Sequence, residues 1–154
     1  MIKSHMTIRR ATTLDLDRIV ACDPIAATDP RRAAFIAARV GGGECCVYES
    51  GHDILGFIVL EYSFYGNGFV SLLCVHEGAR RHGVGRALMH HSLRICSTPK
   101  LFTSTNQSNG PMRALLAACG FEPSGVIYNL DVGDPELVFW QAKSPLPSRI
   151  FIDS

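Results

Sequence analysis

Between residues 44 and 96 the hydrophobic period changes, and this change restricts the folds open to the chain more than any other feature. Residues 44–49, 54–62 and 68–75 are rich in β-branched and aromatic side chains. The turn-forming stretches Ser50-Gly51-His52-Asp53 and Tyr65-Gly66-Asn67-Gly68 separate them. This pattern predicts a three-stranded antiparallel meander. Over residues 84–96 the spacing turns helical, with Val84, Leu88 and Ile95 on one face. The meander therefore runs straight into a helix.

The flanking segments extend this plan on both sides. Residues 7–11 read as a strand. Thr12 or Thr13 can cap a helix that passes through Leu16, Ile19 and Val20, carries Asp15 and Asp17 in its first turn, and ends near Asp23-Pro24. A second helix is expected over 30–40, entered by Pro30 and stopped by Gly41-Gly42-Gly43. Beyond Pro99 come a strand over 101–105 and a helix over 111–119 closed by Gly120. Strands over 125–130 and 136–142 flank the turn Asp131-Val132-Gly133-Asp134-Pro135. The order β-α-α-β-β-β-α-β-α-β-β describes a single α+β domain around a mixed sheet, spanning 6–143. Ser4-His5-Met6 resembles a cloning junction, so residues 1–5 are set aside as a remnant or flexible start. Residues 144–154 read as a loose tail.

Composition removes several classes of function. Fifteen basic against fourteen acidic residues leave a formal charge of +1, which argues against a nucleic-acid partner or a polybasic membrane binder. The longest apolar stretch, residues 54–60, is too short to cross a bilayer. The N-terminus has no export signal, so a cytoplasmic protein is expected. Cys22, Cys45, Cys46, Cys74, Cys96 and Cys119 contain no C-x-x-C pair, and Cys45-Cys46 point to opposite faces of any strand. Reduced core thiols are the expectation, and with no metal spacing around His90-His91, no metal is expected.

The segment most suggestive of chemistry follows the third meander strand. Leu72-Leu73-Cys74-Val75 ends that strand, and Arg80-Arg81-His82-Gly83-Val84-Gly85-Arg86 opens the next helix. Glycines at 83 and 85 allow close backbone approach, and the amides of a helix N-terminus have no intrahelical partners. Such a terminus stabilises an anion, and Arg80, Arg81 and Arg86 add charge suited to a pyrophosphate. Two glycines and some arginines can equally cap a surface helix. The segment lacks the G-K-S/T of a P-loop and the third glycine of a dinucleotide fingerprint.

In this context the sequence resembles the GNAT family of acetyl-coenzyme A-dependent N-acetyltransferases, whose hallmark is Q/R-x-x-G-x-G/A after an apolar strand. Arg80-Arg81-His82-Gly83-Val84-Gly85 fits it. A second feature, an asparagine separated by ten residues from Gly-Phe, matches Asn109 and Gly120-Phe121. The element order agrees from about residue 7 to 142. The resemblance implies a largely antiparallel mixed sheet of about seven strands flanked by four helices, splayed between strands four and five. It also implies acetyl-CoA as co-substrate, with the pantetheine arm along the backbone of Leu73, Cys74 and Val75. The amides from Arg81 through His82, Gly83, Val84 and Gly85 to Arg86 would then hold the pyrophosphate, and Asn109 would touch the pantetheine.

The acceptor side is less defined. The resemblance implies direct transfer to a primary amine in a ternary complex, but the family's frequent acid, a tyrosine seven residues after the asparagine, is Leu116 here. The two positions where some members carry a basic glutamate are Phe69 and Ser104. Glu61 stands as an ionisable residue in an apolar run, and it is either a base or a solvent-facing strand residue. Ser71 and Ser104 can order a water between the splayed strands or simply pack. Tyr62, Tyr65 and Tyr128 are acids only if the fold brings them to the thiol. Glu136 and the acidic turn at 131–134 can attract a cationic amine or be merely solvated. Two alternatives stay open: a non-catalytic acyl-CoA-binding regulatory module, and a toxin that acetylates aminoacyl-tRNA. An exposed edge strand is compatible with a homodimer.

Overall fold

The computed structural model describes residues 5–143, so the expectations for residues 1–4 and 144–154 lie outside the described residues. The seven strands are β1 (Met6–Arg10), β2 (Cys45–Ser50), β3 (Asp53–Phe64), β4 (Asn67–Val75), β5 (Lys100–Asn106), β6 (Glu122–Ile127) and β7 (Glu136–Ala142). The four α-helices are α1 (Leu16–Val20), α2 (Pro30–Gly41), α3 (Val84–Ile95) and α4 (Gly110–Ala118). Short 3-10 turns precede α1 and α3. The strands form one sheet in the order β1-β2-β3-β4-β5-β7-β6. Among the described residues, only β4 and β5 run parallel. This is the α+β architecture expected from the period changes.

Both faces of the sheet are covered. On one face Ile58, Leu60 and Leu101 pack with Val84, Leu88 and Met89 of α3 and Leu116 of α4. On the other, Val47, Phe57, Val59 and Leu72 pack with Ile19 of α1 and Ile36 and Val40 of α2. Each fully buried side chain of this size contributes roughly 1.5–3 kcal/mol through removal from water. The adjacent cysteines divide as alternation requires: Cys45 belongs to the second cluster, while Cys46 packs against the first. All six cysteines are free.

Two elements depart from the sequence reading. The sixth strand lies over Glu122–Ile127 rather than 125–130. Pro123 is tolerated because β6 is an edge strand, paired only with β7, and its missing N–H leaves no second neighbour without a donor. The strand stops at Ile127 because Asn129 turns the chain into the left-handed region at φ 73°. The first helix is also shorter than its pattern suggested, a 3-10 turn over Thr13–Asp15 followed by one α-turn. Asp15 locks that entry: its Oδ2 accepts from the Thr12 N–H at 2.8 Å, and its carboxylate receives both Arg9 Nη atoms at 2.8 and 2.9 Å.

Candidate active site

The sheet opens where β4 and β5 part. Their pairing covers Gly68↔Leu101, Phe69↔Phe102 and Val70↔Thr103, and then stops. Thr103, 1% exposed, donates its Oγ1 hydrogen to the Val70 carbonyl at 2.9 Å and so fastens the last pair. Beyond it the β5-facing edge of Leu73, Cys74 and Val75 has no strand partner among the described residues, and Val75 O accepts instead from Arg80 Nε at 3.4 Å. Ser71 contributes to the divergence. The β3–β4 register moves from Val59↔Leu72 to Leu60↔Val70, so Ser71 is the extra residue of a bulge that bends β4. At the paired end, Phe64 stacks on Phe69 with centroids 4.8 Å apart and lies 5.2 Å from Phe102.

The glycine-bearing loop sits at the open end. His76 starts a 3-10 turn, its Nδ1 accepting from the Gly78 N–H at 3.2 Å and its own N–H donating to Leu55 O at 2.7 Å. Arg81 (φ 66°) and Gly83 (φ 81°) are both left-handed, curling the loop around His82. Gly83 is the N-cap of α3. The first helical bond runs from the Ala87 N–H to Gly83 O at 3.0 Å. The amides of Val84, Gly85 and Arg86 therefore have no partner among the described residues. Buried Val84 anchors the helix start, whereas Arg80, Arg81, His82 and Arg86 are exposed.

The two glycines act differently. A Cβ on Gly83 would meet nothing within 4 Å, so its role is the positive φ. A Cβ on Gly85 would lie 3.2 Å from Leu115 and 3.5 Å from Val75, so its role is close packing of α3 against α4 and β4. That contact ties the loop to the helix that follows β5. Asn109 caps α4, its Oδ1 accepting from the Met112 N–H at 3.1 Å. The two helix N-termini therefore follow the two strands that diverge.

The candidate acid and base residues are dispersed. Glu61 pairs with Phe69 on the closed side of the parting, where its Oε1 accepts from Ser63 Oγ and its Oε2 is buried without a partner among the described residues. Ser71 Oγ is likewise buried and unpartnered. Ser104 Oγ donates to Glu136 Oε2 at 2.6 Å, linking β5 to β7. Tyr62 OH accepts from the Ser97 N–H beyond the far end of α3, and Tyr65 and Tyr128 are strongly exposed. Leu116 is fully buried in the core. The turn before β7 is held rather than free: Asn106 Nδ2 donates to Asp131 Oδ2 at 2.8 Å, and the Ser108 N–H to Asp134 Oδ1 at 3.0 Å.

Cys74, the one thiol on the open stretch of β4, has its pKa pushed up to about 12, chiefly by burial and then by the Asp23 charge. Asp23 is itself buried and receives Arg32 Nε at 2.7 Å, which fixes the α1–α2 segment over this part of β4. A cavity of about 540 Å³ lies elsewhere, between β1–β3 and the C-terminal half of α3. No group of His, Cys, Asp and Glu among the described residues could hold a metal ion. No helix among them is long and apolar enough to cross a membrane.

Residues 41–123, more than half of the chain, match the acetyltransferase (GNAT) domain family. The chain belongs to the GNAT acetyltransferase family. This acetyltransferase is 33% identical to a GNAT-family acetyltransferase of Bacillus cereus, with a TM-score of 0.85 over 92% of this chain and 99% of that one. Its fold is shared with the ribosomal-protein-S18-alanine N-acetyltransferase of Escherichia coli, at 17% identity, TM-score 0.77, and 96% and 99% coverage. It is shared too with yncA of Salmonella typhimurium, whose structure is described with its cofactor acetyl-CoA, at 17% identity, TM-score 0.71, and 92% and 95% coverage. No curated protein matches the sequence significantly. Acetyl-CoA use is a property of the family, and the free amides of α3 together with the unpaired edge of β4 suit such a molecule.

Two features that shape the site escaped the sequence pattern. Thr103 reads as one more β-branched strand residue, and its bond to Val70 depends on a parallel pairing 33 residues away in sequence. The Ser71 bulge leaves no compositional mark, because Ser71 sits in an otherwise regular apolar run.

Proposed function

We propose that this acetyltransferase moves an acetyl group from acetyl-CoA to a primary amine by direct attack, with donor and acceptor bound together. The observation that carries the reading is the parting of β4 from β5 beyond Val70↔Thr103, with three unpartnered amides of α3 at its open end. Amides of Arg81 to Arg86 receive the pyrophosphate, and the dipole of α3 and the exposed Arg80, Arg81 and Arg86 favour its charge. The β4 edge over Leu73, Cys74 and Val75, which β5 does not cover and where Arg80 Nε donates to Val75 O at 3.4 Å, pairs with the pantetheine amides as a neighbouring strand would. The Asn109 side chain holds the start of α4 on the far side of the opening, so its contribution to the pantetheine is through the position of that helix.

Direct transfer is favoured over an acyl-enzyme by Cys74. With a pKa near 12, its thiol stays protonated at neutral pH and is a poor nucleophile. A backbone N–H along the unpaired stretch of β4 can polarise the thioester carbonyl. The test is thiol release from acetyl-CoA with three primary amines: lysine, putrescine and an alanine-terminated hexapeptide. Amine-dependent release, with no acetylated protein in intact mass after incubation with acetyl-CoA alone, is expected. A stable acetyl-enzyme, or release that ignores the amine, contradicts direct transfer.

A further inference from the structure

A hydroxyl of β5 is hydrogen-bonded to a carboxylate of β7 just beyond the point where β4 and β5 part. Ser104 is the first residue of β5 beyond the last pair with β4. By strand alternation its side chain lies opposite those of Leu101, Thr103 and Thr105, on the face that carries α1 and α2. Glu136 is opposite Asn106 in the β5–β7 ladder and so shares that face. Ser104 Oγ donates to Glu136 Oε2 at 2.6 Å, which fixes one oxygen and leaves the other available. Glu136 is half-buried, and no salt bridge among the described residues involves it. A carboxylate placed in this way is anchored but not neutralised.

The surroundings single this group out. Charged groups on the elements that flank β5 and β7 include Asp131 and Asp134 of the preceding turn, Arg113 of α4, and the Asp23–Arg32 ion pair of the α1–α2 segment on the same face of the sheet. Asp131 is bound by Asn106, Asp134 by Ser108, and the Arg113 guanidinium donates to Gln107 O. Across the opening, Ser71 is the residue that follows the last β4 pair, and its Oγ is buried without a partner. The first residue of each strand to leave the ladder thus carries a hydroxyl, and only one of the two is anchored to a carboxylate.

We infer that Glu136, seated by Ser104, is the catalytic base that takes a proton from the acceptor's ammonium. The inference rests on the donor site proposed above. The ammonium gives one proton to the Glu136 carboxylate, directly or through one water. The freed nitrogen lone pair attacks the thioester carbonyl carbon. As the C–S bond breaks, sulfur leaves with the electron pair and takes up the second N–H proton. Glu136 returns its proton to solvent, so ammonium plus thioester gives amide, thiol and one proton. Ser104 is a positioning residue in this scheme, and the Glu136 charge favours a cationic acceptor.

The experiment compares wild type, Glu136→Gln, Glu136→Asp, Ser104→Ala and Ser104→Thr. It measures CoA affinity by calorimetry and thiol release from acetyl-CoA across pH with lysine, putrescine and the alanine-terminated hexapeptide. Glu136→Gln is expected to lower kcat/KM for the amine about a hundredfold, the usual scale for loss of a general base. Its rate should keep climbing with pH toward the amine's own pKa, where the wild type flattens, and Glu136→Asp should restore part of both. Ser104→Ala should lower kcat severalfold while keeping the wild-type pH shape, with Ser104→Thr recovering the rate. CoA affinity should be unchanged in all four variants. An unaltered rate and pH profile in Glu136→Gln, or no amine turned over by the wild type, overturns the inference. No CoA binding by the wild type would instead overturn the donor site.

Discussion

At the scale of single residues, the two glycines of the loop make separable demands. Gly83 needs its positive φ, and a Cβ there meets nothing within 4 Å, so Gly83→Val adds chiefly backbone strain of about 1–3 kcal/mol. Gly85 needs space, so Gly85→Val drives a side chain against Leu115 and Val75 and should lower the melting temperature more than Gly83→Val does. Thermal unfolding of both variants checks the order, and the reverse order would contradict these roles. Both glycines were legible in sequence because a helix that begins on a basic G-x-G has few physical readings. The Ser104–Glu136 bond was not legible. Its partners lie 32 residues apart, on strands that become neighbours only through the β5-β7-β6 order.

At the scale of elements, the parting of β4 from β5 depends on where their pairing ends. Thr103→Val removes the bond to Val70 O and leaves that buried carbonyl without it, at a cost of about 1 kcal/mol. Chemical denaturation should show that loss, and CoA affinity should fall severalfold as the closed end loosens. A stable variant with unchanged affinity would mean the strands part for another reason. The strands themselves could be read from alternation, and α2, α3 and α4 from helical spacing with proline or glycine at their ends. The bulge at Ser71 and the early stop of β6 could not. The first is a register event between two apolar runs, and the second is fixed by Asn129 and by the docking of Asp131 and Asp134 on the end of β5.

At the scale of the whole molecule, one sheet is held between two helical layers, and Asp15 ties the N-terminal strand to the second of them. Its side chain, 3% exposed, binds Arg9 of β1 and Arg18 of α1, while Arg9 also reaches Glu49 of β2. The Arg9 guanidinium holds the Asp15 carboxyl well below the usual carboxylate range against the opposing effect of burial. A depressed folded-state pKa stabilises the protein above the unfolded value, about 3.9, and that stabilisation is lost as pH falls below it toward the folded value. Asp15→Asn should therefore cost about 3 kcal/mol at neutral pH, with the difference from wild type shrinking in acid. Urea unfolding at neutral and acidic pH checks the sign.

Whether the loop from Arg80 to Arg86 holds the donor decides the function proposed for the open end of the sheet. Calorimetric titration of CoA into the wild type and Gly83→Val tests this most directly, with melting curves to confirm that both are folded. The wild type should bind one equivalent, and the variant should lose at least about tenfold in affinity, or 1.4 kcal/mol. Equal affinity in two folded proteins would mean that the donor binds somewhere else.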